Sequence, residues 1–514
     1  MPELDSTFLS LPYRSLGEVA LARAAELGAE HADFRFERIR SQRILVRDEA
    51  LQGAADADTV GFAVRVVHGG AWGFAAGVVL SEAEALRVAD TAVSVAKVAA
   101  AMTTTPVRLA PEPVHDDVTW VSAYEIDPFA VSTADKADVL IDWTARLCRG
   151  AAVDHATASL YAVQENKYYA DLAGTRTTQQ RVRLQPGFEA MGGTSDVFDA
   201  MASIAPPVGR GWEYVVGGSR LSDGGAAWDW DAELDEVPEL LAEKLKAPSV
   251  EAGRYDLVIH PSNLWLTIHE SIGHATELDR ALGYEANYAG TSFATPDHVG
   301  SLRYGSEVMH VTGDRTVEHG LATIGYDDDG VATQQWDIVR DGVLVGFQLD
   351  RPMAALMPEL SAEPGSGRSN GCAYADSPGH IPIQRMANVS LQPAADGPGT
   401  DDLIGRVERG LYVVGDKSWS IDMQRFNFQF TGQRFFRIVD GQLAGQVRDV
   451  AYQATTTDFW GAMEAVGGPQ TWELGGAFNC GKAQPGQVAA VSHGCPSALF
   501  RDVRILNTTE EAGK

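Results

Sequence analysis

Residues 269–274 read HESIGH, which puts two imidazoles and a carboxylate within six positions. That combination can hold a metal ion and move a proton beside it. Helical zinc peptidases space the pair as H-E-x-x-H, with histidines four apart on one face. Here His269 and His274 are five apart. In an ideal helix residues five apart point about 140° away from each other, so the two rings could not share an ion. The spacing therefore predicts either a wide i→i+5 turn or a helix that ends between the histidines. Gly273 stands where such a distortion costs least, because it has no Cβ to clash.

Two histidines are half a zinc site. Catalysis needs three protein ligands and an open position for water. The other candidates lie downstream: Cys372 in SNGCAYAD, Cys480 in AFNCGKAQPG, and His493 with Cys495 in SHGCPS. Spacing does not choose among them. A structural site with four protein ligands, drawing on Cys495 or His493, is one arrangement the residues allow. Free cysteines that are not ligands are small buried hydrophobes. Glu270, next to the first histidine, is the candidate general base.

The elements that must position these groups follow from periodicity. The strand RYDLVIHP leads into a helix capped near Ser262 behind Pro261, with Leu264, Ile268 and Ile272 on one stripe. Earlier, residues 15–27 read as a helix capped by Ser15 and ended by Gly28. FRFERIR and QRILVRD alternate as strands, and GFAVRVVHGGAWGFAAGVV reads as a hairpin. Ser81 and Glu84 open a long helix, with further helices over about 132–148 and 231–246. From about 320 onward short strands dominate, with Asp341-Gly342 and Asp440-Gly441 marking tight turns. The class is α+β. A Gly/Pro-rich stretch at 206–226 places a boundary, giving an N-terminal α+β domain (1–225) and a β-rich C-terminal domain (226–514) that carries the site helix.

The chain has 514 residues, enough for two or three cores. Its formal charge is −29, from 70 acidic and 41 basic residues, which argues against nucleic acid or an anionic membrane as partner. No stretch approaches a membrane span, and the acidic N-terminus lacks the pattern of a signal peptide. With only four cysteines the chain fits a reducing, cytoplasmic setting. The run Asp327-Asp328-Asp329-Gly330 does not have the spacing of a calcium loop.

Taken together, IHESIGHATELD, DDDGVATQQWDIVRDGVLVGFQLDR, IPIQRMANVSL and NCGKAQPGQVAAVSHGCPSALFRDVRIL resemble the TldD/PmbA family of metallopeptidases, on its catalytic TldD-like branch. The resemblance covers nearly the whole chain. It implies Zn2+ as cofactor, Cys480 of the C-G-K segment as third ligand with His269 and His274, and Glu270 as base. It implies an unfolded or extended peptide as substrate, which could add as a strand to an open sheet edge. It implies a homodimer, or a heterodimer with a PmbA-like subunit that lacks the zinc motif. The alternative under the same resemblance is a non-hydrolytic peptide-binding subunit. The segment after Lys482 departs from the family pattern at Pro485 and beyond.

Overall fold

A computed structural model describes residues 3–195, 197–217, 228–361 and 365–511. The boundary expected at 225/226 falls outside the described residues.

The first half of the chain builds a seven-stranded sheet, in the order Ala71–Gly77, Ala50–His68, His31–Arg47, His155–Asp171, Arg176–Gly193 and Val118–Val121, with Phe198–Ala202 beside Arg176–Gly193. FRFERIR and QRILVRD, read as two strands, are one strand of 17 residues. Alternation explains its two faces. Phe34 and Phe36 point toward the helices Tyr13–Glu26 and Glu82–Ala100, and Ile44 and Val46 join a second core with the helices Thr133–Leu147 and Trp230–Lys244. Each such fully buried side chain contributes about 1.5–3 kcal/mol. Ser81 caps its helix by accepting the Glu84 N–H, as expected, whereas the expected Ser15 cap is absent and that helix starts at Tyr13.

The opposite face of this sheet carries charge and is also buried. Arg35, Glu37, Arg65, Glu165, Lys167 and Arg181 are each no more than 4% exposed. They lie under the second half of the chain. Lys167 Nζ sits 2.7 Å from Asp328 and 3.1 Å from Glu165. Arg65 reaches Asp33 and Asp329, the latter at 2.6 Å. The acidic run that did not fit a calcium loop therefore seats the C-terminal strands on the sheet.

The second half of the chain holds a closed ring of strands. Arg409–Ile421 pairs with Gly253–Ile259, then Ala498–Asn507, Val450–Thr455 and Asn427–Val439, which pairs back to Arg409–Ile421. The Asp341-Gly342 and Asp440-Gly441 turns have positive φ at both residues, as tight hairpins require. A separate hairpin, Glu473–Lys482 with Gln487–Cys495, packs against the helix Pro261–Ile268. Its approach is close enough that a Cβ on Gly475 would lie 2.3 Å from the Trp265 ring. Among the described residues no helix is long and apolar enough to cross a membrane.

Candidate metal centre

Strand Gly253–Ile259 runs directly into the helix Pro261–Ile268. His260, rather than Ser262, is the cap; its ring accepts the Ser262 N–H at 3.2 Å, and Pro261 takes the first helical position. The helix is regular to Ile268. Residues His269–Gly273 then form one π turn, closed by the His274 N–H donating to the His269 carbonyl. A short 3-10 turn, His274–Thr276, follows. This is the wide turn, one of the two arrangements that the five-residue spacing allowed, and it brings the two imidazole centroids to 4.7 Å. Gly273 has ordinary helical angles and is required by packing: a Cβ there would meet the Met386 sulfur at 2.4 Å. The widened turn leaves carbonyls to be satisfied from outside. Gln348 Nε2 donates to the Gly273 carbonyl at 2.7 Å and Tyr304 donates to that of Ser271.

Cys480 arrives from strand Glu473–Lys482, whose end is fixed by Arg385 donating to the carbonyls of Cys480 and Gln487. Ligand atoms of His269, His274 and Cys480 lie within 4.8 Å of one another, all three side chains being buried. Among the described residues this is the one cluster of three or more such groups. The Cys480 Sγ–His274 Nε2 distance is 3.5 Å. Two donors on a tetrahedral zinc at ~2.0–2.3 Å stand ~3.3–3.7 Å apart, so this edge has the length a zinc ion needs.

The hydrogen bonds behind the donors fix which atoms are free. His274 Nδ1 donates to Glu277 Oε2 at 2.9 Å, which leaves Nε2 unprotonated and aimed at Cys480. Burial would raise the Glu277 carboxyl, but Lys482, 3.1 Å away, and then His274 hold it well below the ordinary range. Burial likewise pushes the Cys480 thiol up. His274 and then Arg385 outweigh it, so the thiol lies below its ordinary value. Burial lowers both His269 and His274, favouring the neutral rings a metal requires.

Glu270 is 5% exposed and borders a cleft of about 710 Å³ that also reaches His269, His274 and Cys480. One of its oxygens takes a charge-assisted bond from Arg425 Nη1. Arg425 has a φ of 64°, uncommon outside glycine. Asp422 holds that turn by accepting the N–H groups of Gln424, Phe426 and Asn427. Neither Arg425 nor Glu277 was singled out from the sequence. Glu277 could have been, since it stands three residues after His274 on the same segment.

The remaining candidates do not join the cluster. Cys495 Sγ packs 3.7 Å from the Pro261 carbonyl and Cys372 Sγ 3.4 Å from Asn370 Oδ1. His493 touches His269 but has both ring nitrogens engaged elsewhere than at the shared point. A site with a fourth protein ligand from His493 or Cys495 is therefore not what this geometry forms.

Asp416 also lines the cleft, accepting a bond from Trp265 Nε1 at 3.2 Å. Burial raises its carboxyl to about 6 from 3.8. A raised carboxyl favours folding below its unfolded value and loses that benefit as pH rises through about 6. Asp416→Asn is therefore expected to match the wild type near pH 4 and to gain about 2–3 kcal/mol by pH 7. Urea unfolding at the two pH values measures this, and a gain that does not vary with pH refutes it.

Comparison with known proteins places the chain in a family. The PmbA/TldA metallopeptidase C-terminal domain matches residues 252–507 and domain 1 of the same family matches residues 32–96. A metalloprotease of Methanothermobacter thermautotrophicus is 27% identical over 490 residues, covering 93% of this chain and 96% of its own. A zinc metalloprotease TldD homolog of Saccharolobus solfataricus is 20% identical over 491 residues, covering 94% and 98%. Among solved structures, a Thermotoga maritima protein described as a modulator of DNA gyrase superposes with a TM-score of 0.72 at 14% identity, covering 96% of this chain and all of that one. TldE from Thermococcus kodakarensis gives 0.67 at 15%, covering 95% and 99%. At these identities the two structures speak for the fold.

Proposed function

The chain belongs to the PmbA/TldD metallopeptidase family, and we propose that it is a zinc-dependent peptidase that hydrolyses unfolded or extended peptides. The observation that carries the proposal is the buried His269–His274–Cys480 trio with Glu270 beside it at the wall of a cleft. Two neutral imidazoles and one thiol of lowered pKa suit zinc and leave one position open. Zinc bound there supplies Lewis acidity toward a water molecule and toward the scissile carbonyl. Glu270 takes the proton of the attacking water and returns it to the leaving amine. Arg425 holds one carboxylate oxygen and leaves the other for that proton.

The preference for extended peptide is supported by the strand Glu473–Lys482. Its only strand partner among the described residues is Gln487–Cys495, and residues along it border the cleft up to Cys480. A peptide added to this edge would be held by main-chain bonds, which carry no sequence preference. The four free cysteines support a reducing, cytoplasmic setting. The proposal includes assembly with a second copy or with a zinc-less relative, which sedimentation would measure.

The test is cleavage of a disordered peptide before chelation, after chelation, and after zinc is restored. Loss and recovery are expected. Cleavage that continues in the zinc-free protein would remove the metal from the mechanism and end this reading.

A further inference from the structure

His493 lies 224 positions from His269 and is fully buried against it. Its Nδ1 is 2.8 Å from the Val389 carbonyl, an atom that can only accept. The proton of the His493 ring is therefore on Nδ1, and Nε2 carries a lone pair. That Nε2 is 2.7 Å from His269 Nδ1. A neutral His493 can accept there and cannot donate, so His269 must place its own proton on Nδ1. His269 Nε2 is then left as a lone pair for the metal. The ring is fully buried, and no carboxylate is in hydrogen-bond or ion-pair contact with it among the described residues, in keeping with a neutral ring. The ring cannot turn freely, since Trp265 lies parallel to it at 6.3 Å and a Cβ on Gly273 would sit 3.5 Å from its Cε1.

We infer that His493 is a positioning residue for the metal: it fixes the tautomer and orientation of His269 through a Val389 carbonyl–His493–His269 relay. The inference rests on the proposed metal reading and extends it. The two ligand histidines are then supported differently. His274 is backed by the Glu277 carboxylate, which adds negative charge behind the ring. His269 is backed by a neutral imidazole. With a thiolate already in the donor set, a second carboxylate would add charge that weakens the ion as a Lewis acid. A neutral acceptor orients the ligand without that effect.

The test compares His493→Met, which fills the space without a strong acceptor, with His493→Gln, whose Oε1 can accept from His269 Nδ1. Zinc affinity is read by competition with a chromophoric chelator, and the visible spectrum of the cobalt-substituted protein reports the ligand field. The methionine variant is expected to bind zinc roughly 10–100-fold more weakly, the usual effect of losing such a partner. Its cobalt bands should shift. The glutamine variant should recover most of the affinity, and the zinc-free proteins should melt alike. Wild-type affinity and spectrum in both variants overturn the inference, and so does equal loss in both, which would mean that ring packing alone matters. Nitrogen NMR of histidine-labelled wild type decides the tautomers without any variant. Protonated Nδ1 on both His493 and His269 is expected, and a protonated His493 Nε2 overturns the relay. A wild type that binds no zinc overturns the metal reading itself, whereas normal wild-type binding with unaffected variants removes only the role of His493.

Discussion

Glu270→Gln is expected to lower kcat for peptide cleavage by roughly 10²–10⁴-fold, the range in which a positioned acid–base group contributes. Zinc content should not change, because Glu270 is not one of the three clustered donors. The substitution keeps the size of the side chain and can still accept from Arg425 Nη1, so the turn at Arg425 keeps its partner. What it removes is the ability to take a proton. The arrangement makes this a clean experiment: Glu270 is nearly buried, one oxygen is tied to Arg425, and the carboxyl borders the cleft beside His269. If the variant cleaves as fast as the wild type while both hold zinc, the base is another group and the mechanism above is wrong. If zinc is lost with activity, Glu270 supports the metal rather than the proton transfer.

The chemistry of this site was legible to different depths in the sequence. That the helix departs from ideal geometry between His269 and His274 could be read from their spacing, which left a wide turn or a helix end open; the structure takes the wide turn. The third member of the cluster could not. Cys480 is more than 200 positions away, and it was chosen through family resemblance rather than spacing. His493 was visible as a candidate ligand, yet its actual contact, with His269 Nδ1 instead of a metal position, is set by the Val389 carbonyl on another strand. The N-terminal strand shows the same limit at the level of fold. Phe34 and Phe36 alternating with Arg35 and Glu37 reads as a sheet with one wet face. The periodicity is correct, but what covers the charged face is a segment near residue 328, and no local pattern announces it. Ser262 failed as a cap because His260 offered a side-chain acceptor just ahead of Pro261.

That covered face carries the largest expected effect on stability. Lys167 is surrounded by Asp328 at 2.7 Å, Glu165 at 3.1 Å and Glu37 at 3.4 Å, all buried. It also donates to the Ala375 carbonyl at 2.9 Å. Burial alone would strip its proton, but Asp328, Glu37 and Glu165 together hold the ammonium charged. Lys167→Met leaves three buried carboxylates short of a cation. Glu165 retains Arg181 and Arg183, and Glu37 retains Arg35. Asp328 loses the only cation in ion-pair contact with it among the described residues, so the cost concentrates at the contact between the N-terminal sheet and the C-terminal strands. Breaking a buried pair from one side costs about 3–5 kcal/mol, a large share of a typical 5–15 kcal/mol. Urea unfolding should show that loss. Lys167→Met combined with Asp328→Asn should recover part of it, because the orphaned charge is then gone. A loss below about 1 kcal/mol would mean that the neighbouring arginines suffice and the sheet is held by its apolar edges. The effect should also reach the cleft. Residues 203–207 of the N-terminal half line the cleft together with residues 473–481. A loosened contact between the two halves is therefore expected to raise KM for peptide more than it lowers kcat, since His269, His274 and Cys480 all belong to the other half.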